Sequence, residues 1–176
     1  LDSEKYETRP EQLSELDNLD GIIVPGGFGA RGTEGMILTE NYARKNKIPY
    51  LGLCLGMQIL TISYARNVLM LRDANSTEIN PSTAYPVIAT MTDQVDKIKN
   101  KNYGATMRLG AYPANLKKGS VAEMAYGASK ISERHRHRYE VNLEYIEKLE
   151  AKGLTFSGVS PDRRLMEIME LPRKEH

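Results

Sequence analysis

The sequence predicts an α/β fold with a central, mostly parallel sheet flanked by helices. Three observations carry that prediction. Two short apolar runs, Gly21-Ile22-Ile23-Val24-Pro25 and Ile48 to Cys54, have the length and composition of buried strands. Between them, Glu34 to Asn46 has helical spacing, with Ile37, Tyr42 and Ala43 as its apolar positions. A strongly apolar helix, Gly56 to Arg66, follows the second run. Strand, loop, helix, strand, helix is the order of parallel strands joined by crossovers.

The rest of the chain is less regular. Asp73 to Pro86 is rich in Asn, Ser, Thr and Pro and reads as loop. Asp93 to Asn102 is a polar, lysine-rich insertion expected at the surface. Thr106 to Leu109 reads as a short strand, Val121 to Tyr126 as a short helix, and Glu133 to Val141 as a charged strand or arm. In a strand, Arg134, Arg136 and Arg138 would share one face, and His135, His137 and Tyr139 the other. A charged, solvated edge strand is the first reading of that stretch, with RNA binding far behind. Leu143 to Lys152 has a helical period that Gly153 is placed to end. Leu154 to Val159 and Leu165 to Leu171 read as two strands joined by a turn at Pro161-Asp162. Met57, Met70 and Met107 are assigned to the core.

The 176 residues suit one domain with one core. Hydrophobic residues make up 40% and charged residues 27%, an ordinary globular balance. A net charge of +1 gives no field that would draw nucleic acid or an anionic membrane. No apolar run has the length needed to cross a bilayer. The polar start, Leu1-Asp2-Ser3-Glu4-Lys5, is unlike a signal peptide. One cysteine cannot form an internal disulfide, which points to a reducing, cytoplasmic location.

That cysteine is the most informative residue. Cys54 lies between Gly52 and Gly56 where a predicted strand meets a predicted helix. This is the layout of a nucleophile elbow. A sharp turn lifts the side chain out of the sheet, and small neighbours let backbone and substrate approach. The helix N-terminus that follows favours the thiolate over the thiol. A buried structural cysteine is the common fate of the residue type. The flanking glycines argue against it, because an interior strand is weakened by both.

A glycine-rich turn, Pro25-Gly26-Gly27-Phe28-Gly29-Ala30-Arg31-Gly32, follows the first strand. Such a turn can aim backbone N–H groups at an anion. It lacks the Lys and Ser/Thr of a P-loop and the spacing of a dinucleotide fingerprint. With a cysteine elbow closing the next strand, stabilisation of an oxyanion is preferred over a plain tight turn. Adjacent parallel strands would bring both loops to one sheet edge.

Pro25-Gly26-Gly27-Phe28-Gly29 and Gly52-Leu53-Cys54-Leu55-Gly56-Met57-Gln58 together resemble the triad (class I) glutamine amidotransferases. Three further segments narrow the resemblance to the CTP synthase family. They are Asp73-Ala74-Asn75-Ser76-Thr77-Glu78, Thr106-Met107-Arg108-Leu109-Gly110, and Glu133 through Asn142. The resemblance runs in order through nearly the whole chain. It implies that glutamine is split to glutamate and ammonia, with Cys54 as the nucleophile that forms a thioester. The Gly27 and Leu55 amides would form the oxyanion hole. Gly56, Met57 and Gln58 would line the glutamine, Glu78 would hold its ammonium, and Arg138 its α-carboxylate. A free amino acid carries both charges, so its site needs an acid and a base at fixed separation. Ammonia would pass to a synthetase domain of the same polypeptide, where ATP and magnesium support amination of UTP, in a homo-oligomeric protein. GTP would act as activator through a lid beginning at Thr106 and bearing Arg108, hinged at Gly104 and Gly110. No metal site is implied in this chain. Asn75-Ser76-Thr77 matches a glycosylation sequon, read as coincidence in a cytoplasmic chain.

Class I enzymes complete their triad with a His-Pro-Glu motif, and these 176 residues contain none. The expectation is therefore one amidotransferase domain truncated at both ends, without the synthetase domain and inactive by itself. The alternatives are another class I amidotransferase, serving purine or anthranilate synthesis, and a catalytically dead regulatory domain of the same fold.

Overall fold

The computed structural model describes residues 1–90 and 107–171. The insertion expected over Asp93–Asn102, together with Gly104, Thr106 and the closing residues from Pro172, lies outside them. The chain divides into two compact units, Leu1–Pro86 and Val87–Arg173.

In the first unit, a short helix α1 (Glu4–Thr8) and a 3-10 helix (Pro10–Asn18) precede β1 (Ile22–Val24). Helix α2 (Thr33–Asn46) then crosses over to β2 (Tyr50–Gly52), and α3 (Leu55–Asn67) follows. β1 and β2 pair in parallel, Ile22 with Tyr50 and Val24 with Gly52, as expected of strands joined by a helix. Their inner face is buried: Ile22 and Val24 pack with Tyr6, Leu13, Leu16, Ala43 and Ile48. α3 is buried nearly all round, with Ile59, Ile62, Ser63 and Ala65 fully enclosed.

Both strands were expected to be buried throughout, and here the structure differs. Ile23 is 64% exposed, Leu51 53% and Leu53 50%. An unbroken apolar run signals a strand but does not say how many of its faces are covered. Two further corrections apply to this unit. The stretch Asp73–Pro86, read as loop, holds the fully buried strand β3 (Ala74–Ser76) and the start of β4 (Tyr85–Ala89). Asn75 and Ser76 are buried, so the sequon there is inaccessible. Met70, assigned to the core, is 64% exposed.

The second unit is mostly antiparallel. β5 (Arg108–Leu116) is more than twice the length read from the sequence and pairs with β6 (Lys130–His137) from Arg108↔His137 to Asn115↔Lys130. Between them lies α4 (Val121–Tyr126), with the predicted bounds. The Ser120 side chain accepts from the Glu123 amide and so caps it, and Glu170 accepts from the amides of Val121 and Ala122. β7 (Glu140–Val141) pairs with β4 through Ile88↔Val141. A 3-10 turn (Leu143–Tyr145) and α5 (Ile146–Glu150) lead through Gly153 into β8 (Thr155–Val159) and β9 (Met166–Glu170), which pair antiparallel. β6 is an edge strand in the order β6-β5-β8-β9.

Candidate active site

The first unit brings most of the predicted site residues to one place, beyond the C-terminal ends of β1 and β2. Cys54 occupies the N-cap of α3 with φ 54° and ψ −103°, a conformation that a residue with a side chain rarely adopts. The turn is held on every side. The Leu53 amide continues the ladder to the Val24 carbonyl at 2.9 Å, and the Gly56 amide closes on the Leu53 carbonyl at 2.9 Å. The Met57 and Gln58 amides donate to the Cys54 carbonyl at 3.1 and 3.2 Å.

The flanking glycines are required by packing. A Cβ on Gly52 would stand 2.4 Å from the Gly56 carbonyl oxygen, and one on Gly56 would stand 2.2 Å from the Val24 carbonyl oxygen. Tyr50 adds a support that sequence reasoning missed: its hydroxyl donates to the Gly56 carbonyl at 3.0 Å. Its place in β2, two residues before Gly52, was the available signal.

The glycine-rich loop lies directly against this elbow. A Cβ on Gly26 would lie 3.4 Å from Cys54 Cβ and 3.8 Å from its Sγ, and one on Gly27 would lie 3.0 Å from Leu55 Cδ2. The Gly29 amide donates to Glu78 Oε1 at 3.3 Å. The loop thus joins Glu78, which follows β3, to the surroundings of Cys54. Cys54 is exposed and in no disulfide, and Gln58 is buried in the first turn of α3. Leu55, Gly56 and Met57 open that turn; the Gly56 and Met57 amides are taken by the Leu53 and Cys54 carbonyls, and Leu55 follows Cys54 at the helix start. Two loops and a helix N-terminus there can stabilise negative charge on an oxygen held near Sγ.

Arg138 and Arg108 belong to the second unit. The expected strand Glu133–Val141 is interrupted after His137, so Arg138 sits in the gap between β6 and β7. Within β6, His135 and His137 are half-buried while Arg134 and Arg136 are exposed, as the alternation required. Arg138 does not continue that face, because the chain turns before it. Arg108, assigned by the resemblance to a lid, lies in β5 and is 7% exposed. Its Nη2 meets Glu167 at 2.7 Å and its Nη1 meets Glu140 at 3.2 Å, while the guanidinium lies 4.5 Å from the Tyr112 ring centroid. Gly110, one expected hinge, has φ 104°.

The groups around Arg108 are driven apart in proton affinity. Burial would raise the Glu167 carboxyl, but hydrogen bonds from His135 and Arg108 bring it down to about 2. Burial pushes Glu140 up to about 7, since its single contact with Arg108 does not offset desolvation. His135 is raised by its bond to Glu167 at 2.8 Å. His137 is lowered to about 4 by burial and then by the charges of Arg108 and His135.

A pH dependence follows. A carboxyl whose folded pKa is depressed contributes stability above its ordinary value of 4.5 and loses it as pH falls towards about 2. Glu140 has the opposite sign and favours the fold as pH falls through about 7. In melting curves recorded across pH, Glu167→Gln is therefore expected to flatten the acid limb below 4.5. An acid limb as steep as in the parent would remove Glu167 as its source.

Among the described residues, no group of three or more His, Cys, Asp or Glu side chains could hold a metal ion. No helix there is long and apolar enough to cross a membrane.

A glycine loop packed on a cysteine elbow beyond a parallel strand pair is the juxtaposition that the two motifs predict. The family model for class-I glutamine amidotransferases matches residues 2–175, and the chain belongs to that family. Its curated relatives include CTP synthases. That of Methanococcoides burtonii is 54% identical over 99% of this chain, and that of Leifsonia xyli 53% over 99%. The chain spans about a third of their length, 32% and 31% respectively. The solved glutaminase domain of Trypanosoma brucei CTPS with bound acivicin matches with a TM-score of 0.90 and 40% identity, over 98% of this chain and 66% of that one. The α/β class predicted from the sequence is that of this domain.

Proposed function

We propose that this chain performs glutamine hydrolysis, through a cysteine thioester, within a CTP synthase. The observation that carries the reading is the backbone of Cys54, a positive-φ residue at a helix start whose neighbours cannot carry a side chain. The Cys54 thiolate attacks the carboxamide carbon of glutamine. The oxyanion is met by the Gly27 and Leu55 amides; as it collapses the C–N bond breaks and the nitrogen takes a proton from solvent to leave as ammonia. Water then cleaves the thioester C–S bond to give glutamate and thiolate, its protons passing to solvent. Gly56, Met57 and Gln58 line the substrate, Glu78 holds its ammonium, and Arg138 holds its α-carboxylate.

The ammonia would feed ATP- and magnesium-dependent amination of UTP in a synthetase domain of the same polypeptide, a cytoplasmic homo-oligomer activated by GTP. Arg108, on the lid that begins at Thr106, would serve GTP activation by holding that lid closed, since its guanidinium is committed to Glu140 and Glu167. By themselves these residues would not turn over glutamine. His135 and His137 are engaged with Glu167 and the Tyr139 carbonyl, and no His-Pro-Glu motif supplies a base.

The test is CTP formation by the full-length protein with glutamine or ammonia as nitrogen source. Glu78→Gln and Arg138→Ala should each weaken glutamine use by roughly 10- to 150-fold, the size of one charge-assisted hydrogen bond. Ammonia use should be spared. Arg108→Ala should blunt stimulation by GTP with glutamine alone. Unchanged glutamine kinetics in Arg138→Ala, or a wild-type GTP response in Arg108→Ala, would remove that residue from the scheme.

A further inference from the structure

We propose that His137, backed by Glu140, is a positioning residue that fixes Arg138 for the substrate carboxylate. The inference rests on the reading of Arg138 given above. Arg138 and Tyr139 are the only residues between the end of β6 at His137 and the start of β7 at Glu140. A long cationic side chain on two irregular residues would ordinarily sample many directions, and ordering it costs entropy. Here both ends of the gap are tied.

On one side, His137 Nδ1 lies 3.3 Å from the Tyr139 carbonyl oxygen, so a side-chain bridge spans Arg138. A carbonyl only accepts, so Nδ1 must carry the proton. The same nitrogen lies 3.4 Å from Glu140 Oε1. Glu140 is 6% exposed and accepts from Arg108 Nη1 at 3.2 Å. Arg108 is also the cross-strand partner of His137 in the β5–β6 ladder. On the other side, Glu140 and Val141 pair with Ala89 and Ile88, and the Asn142 amide donates to the Val87 carbonyl at 2.9 Å. The gap is thus fastened to two ladders, with His137 across it.

The chemistry of the fastening is informative. A buried ion cluster is rarely the most stable way to fill a core, because apolar residues of similar volume serve as well or better. What it adds is direction, since each charged group accepts few geometries. His137 is held neutral well below neutral pH, so its bridge does not switch on or off near pH 7.

The experiment is labelling of Cys54 in the full-length protein by a chloroketone analogue of L-glutamine, with iodoacetamide as a probe that carries no amino-acid charges. Labelling is read by mass spectrometry of the Cys54 peptide. His137→Phe keeps an aromatic ring at this position and removes the bridge. It should raise the half-saturating chloroketone concentration about 3- to 10-fold, as for one lost hydrogen bond, and leave the iodoacetamide rate unchanged. Added to Arg138→Ala, it should cost nothing further, because a positioning residue acts through the group it positions. Full additivity in the double variant, or wild-type half-saturation in His137→Phe, would overturn the proposal while leaving the role of Arg138 standing. If Arg138→Ala alone leaves half-saturation unchanged, the carboxylate reading fails and takes this inference with it. Should His137→Phe not fold, Glu140→Gln serves instead, with a smaller shift of the same sign and the same non-additivity expected.

Discussion

In the full-length protein, Cys54→Ala is expected to abolish glutamine-dependent CTP formation while ammonia-dependent formation stays near its normal rate. The loss should be on the order of 10⁴-fold or more, because a nucleophile and its partners act as a unit and no partial substitute is available. No other cysteine exists in these 176 residues to take its place. The alanine methyl fits the site that Cβ already occupies beside Gly26, so the loop and elbow should keep their packing. Ammonia supplied from outside bypasses the hydrolysis step, and its use is the control that separates the two reactions. Equal loss with both nitrogen sources would mean that Cys54 supports the whole protein and is not the amidotransferase nucleophile.

The second large effect belongs to Gly56→Ala. The added methyl carbon would stand 2.2 Å from the Val24 carbonyl oxygen and 3.1 Å from the Val24 Cβ. Neither side can yield cheaply. Val24 is fixed in β1 by its pairing with Gly52, and its carbonyl already accepts from Leu53. Gly56 is fixed by the Leu53 carbonyl behind it and the Tyr50 hydroxyl ahead. Forced overpacking of this kind costs about 3 kcal/mol at the upper end of the usual range. Relief would have to come from moving the start of α3, which carries Leu55 and the elbow. Chemical denaturation should show the loss of stability, and Cys54 labelling by the chloroketone should fall even where the variant remains folded. Gly21→Ala is the matched control, since a methyl there meets Pro49 at an ordinary 3.4 to 3.5 Å. Wild-type stability together with wild-type labelling in Gly56→Ala would show that the elbow tolerates what its geometry forbids.

Local pattern made much of this legible. α2 and α3 begin within a residue of where their apolar spacing placed them, and α4 has the predicted bounds. The elbow was legible because two glycines around a cysteine have no use inside a strand. Unread features depended on partners distant in sequence. The burial of Arg108 depends on Glu140 and Glu167, 32 and 59 residues further on, and a lone arginine does not reveal them. The strand in Ala74–Ser76 has polar composition, and the Ala74 carbonyl accepts from Arg66 Nε of α3 at 2.7 Å, a partner outside the stretch itself. The outward faces of β1 and β2 were misread because Ile and Leu look alike in sequence whether or not something covers them.

The torsion angles of Cys54 set two selections against each other. A side chain at φ 54° and ψ −103° is held there against a conformational penalty of about 1–3 kcal/mol. Glycine would escape it, so a search for thermostable variants that ignored activity would drift towards glycine here and, on the role proposed for Cys54, would lose the nucleophile. A search for activity would retain the cysteine and need compensation elsewhere, in the packing of α3 or the ladder between β1 and β2. Reactivity and durability are therefore negotiated at one residue, and an engineer improving either should hold that codon fixed.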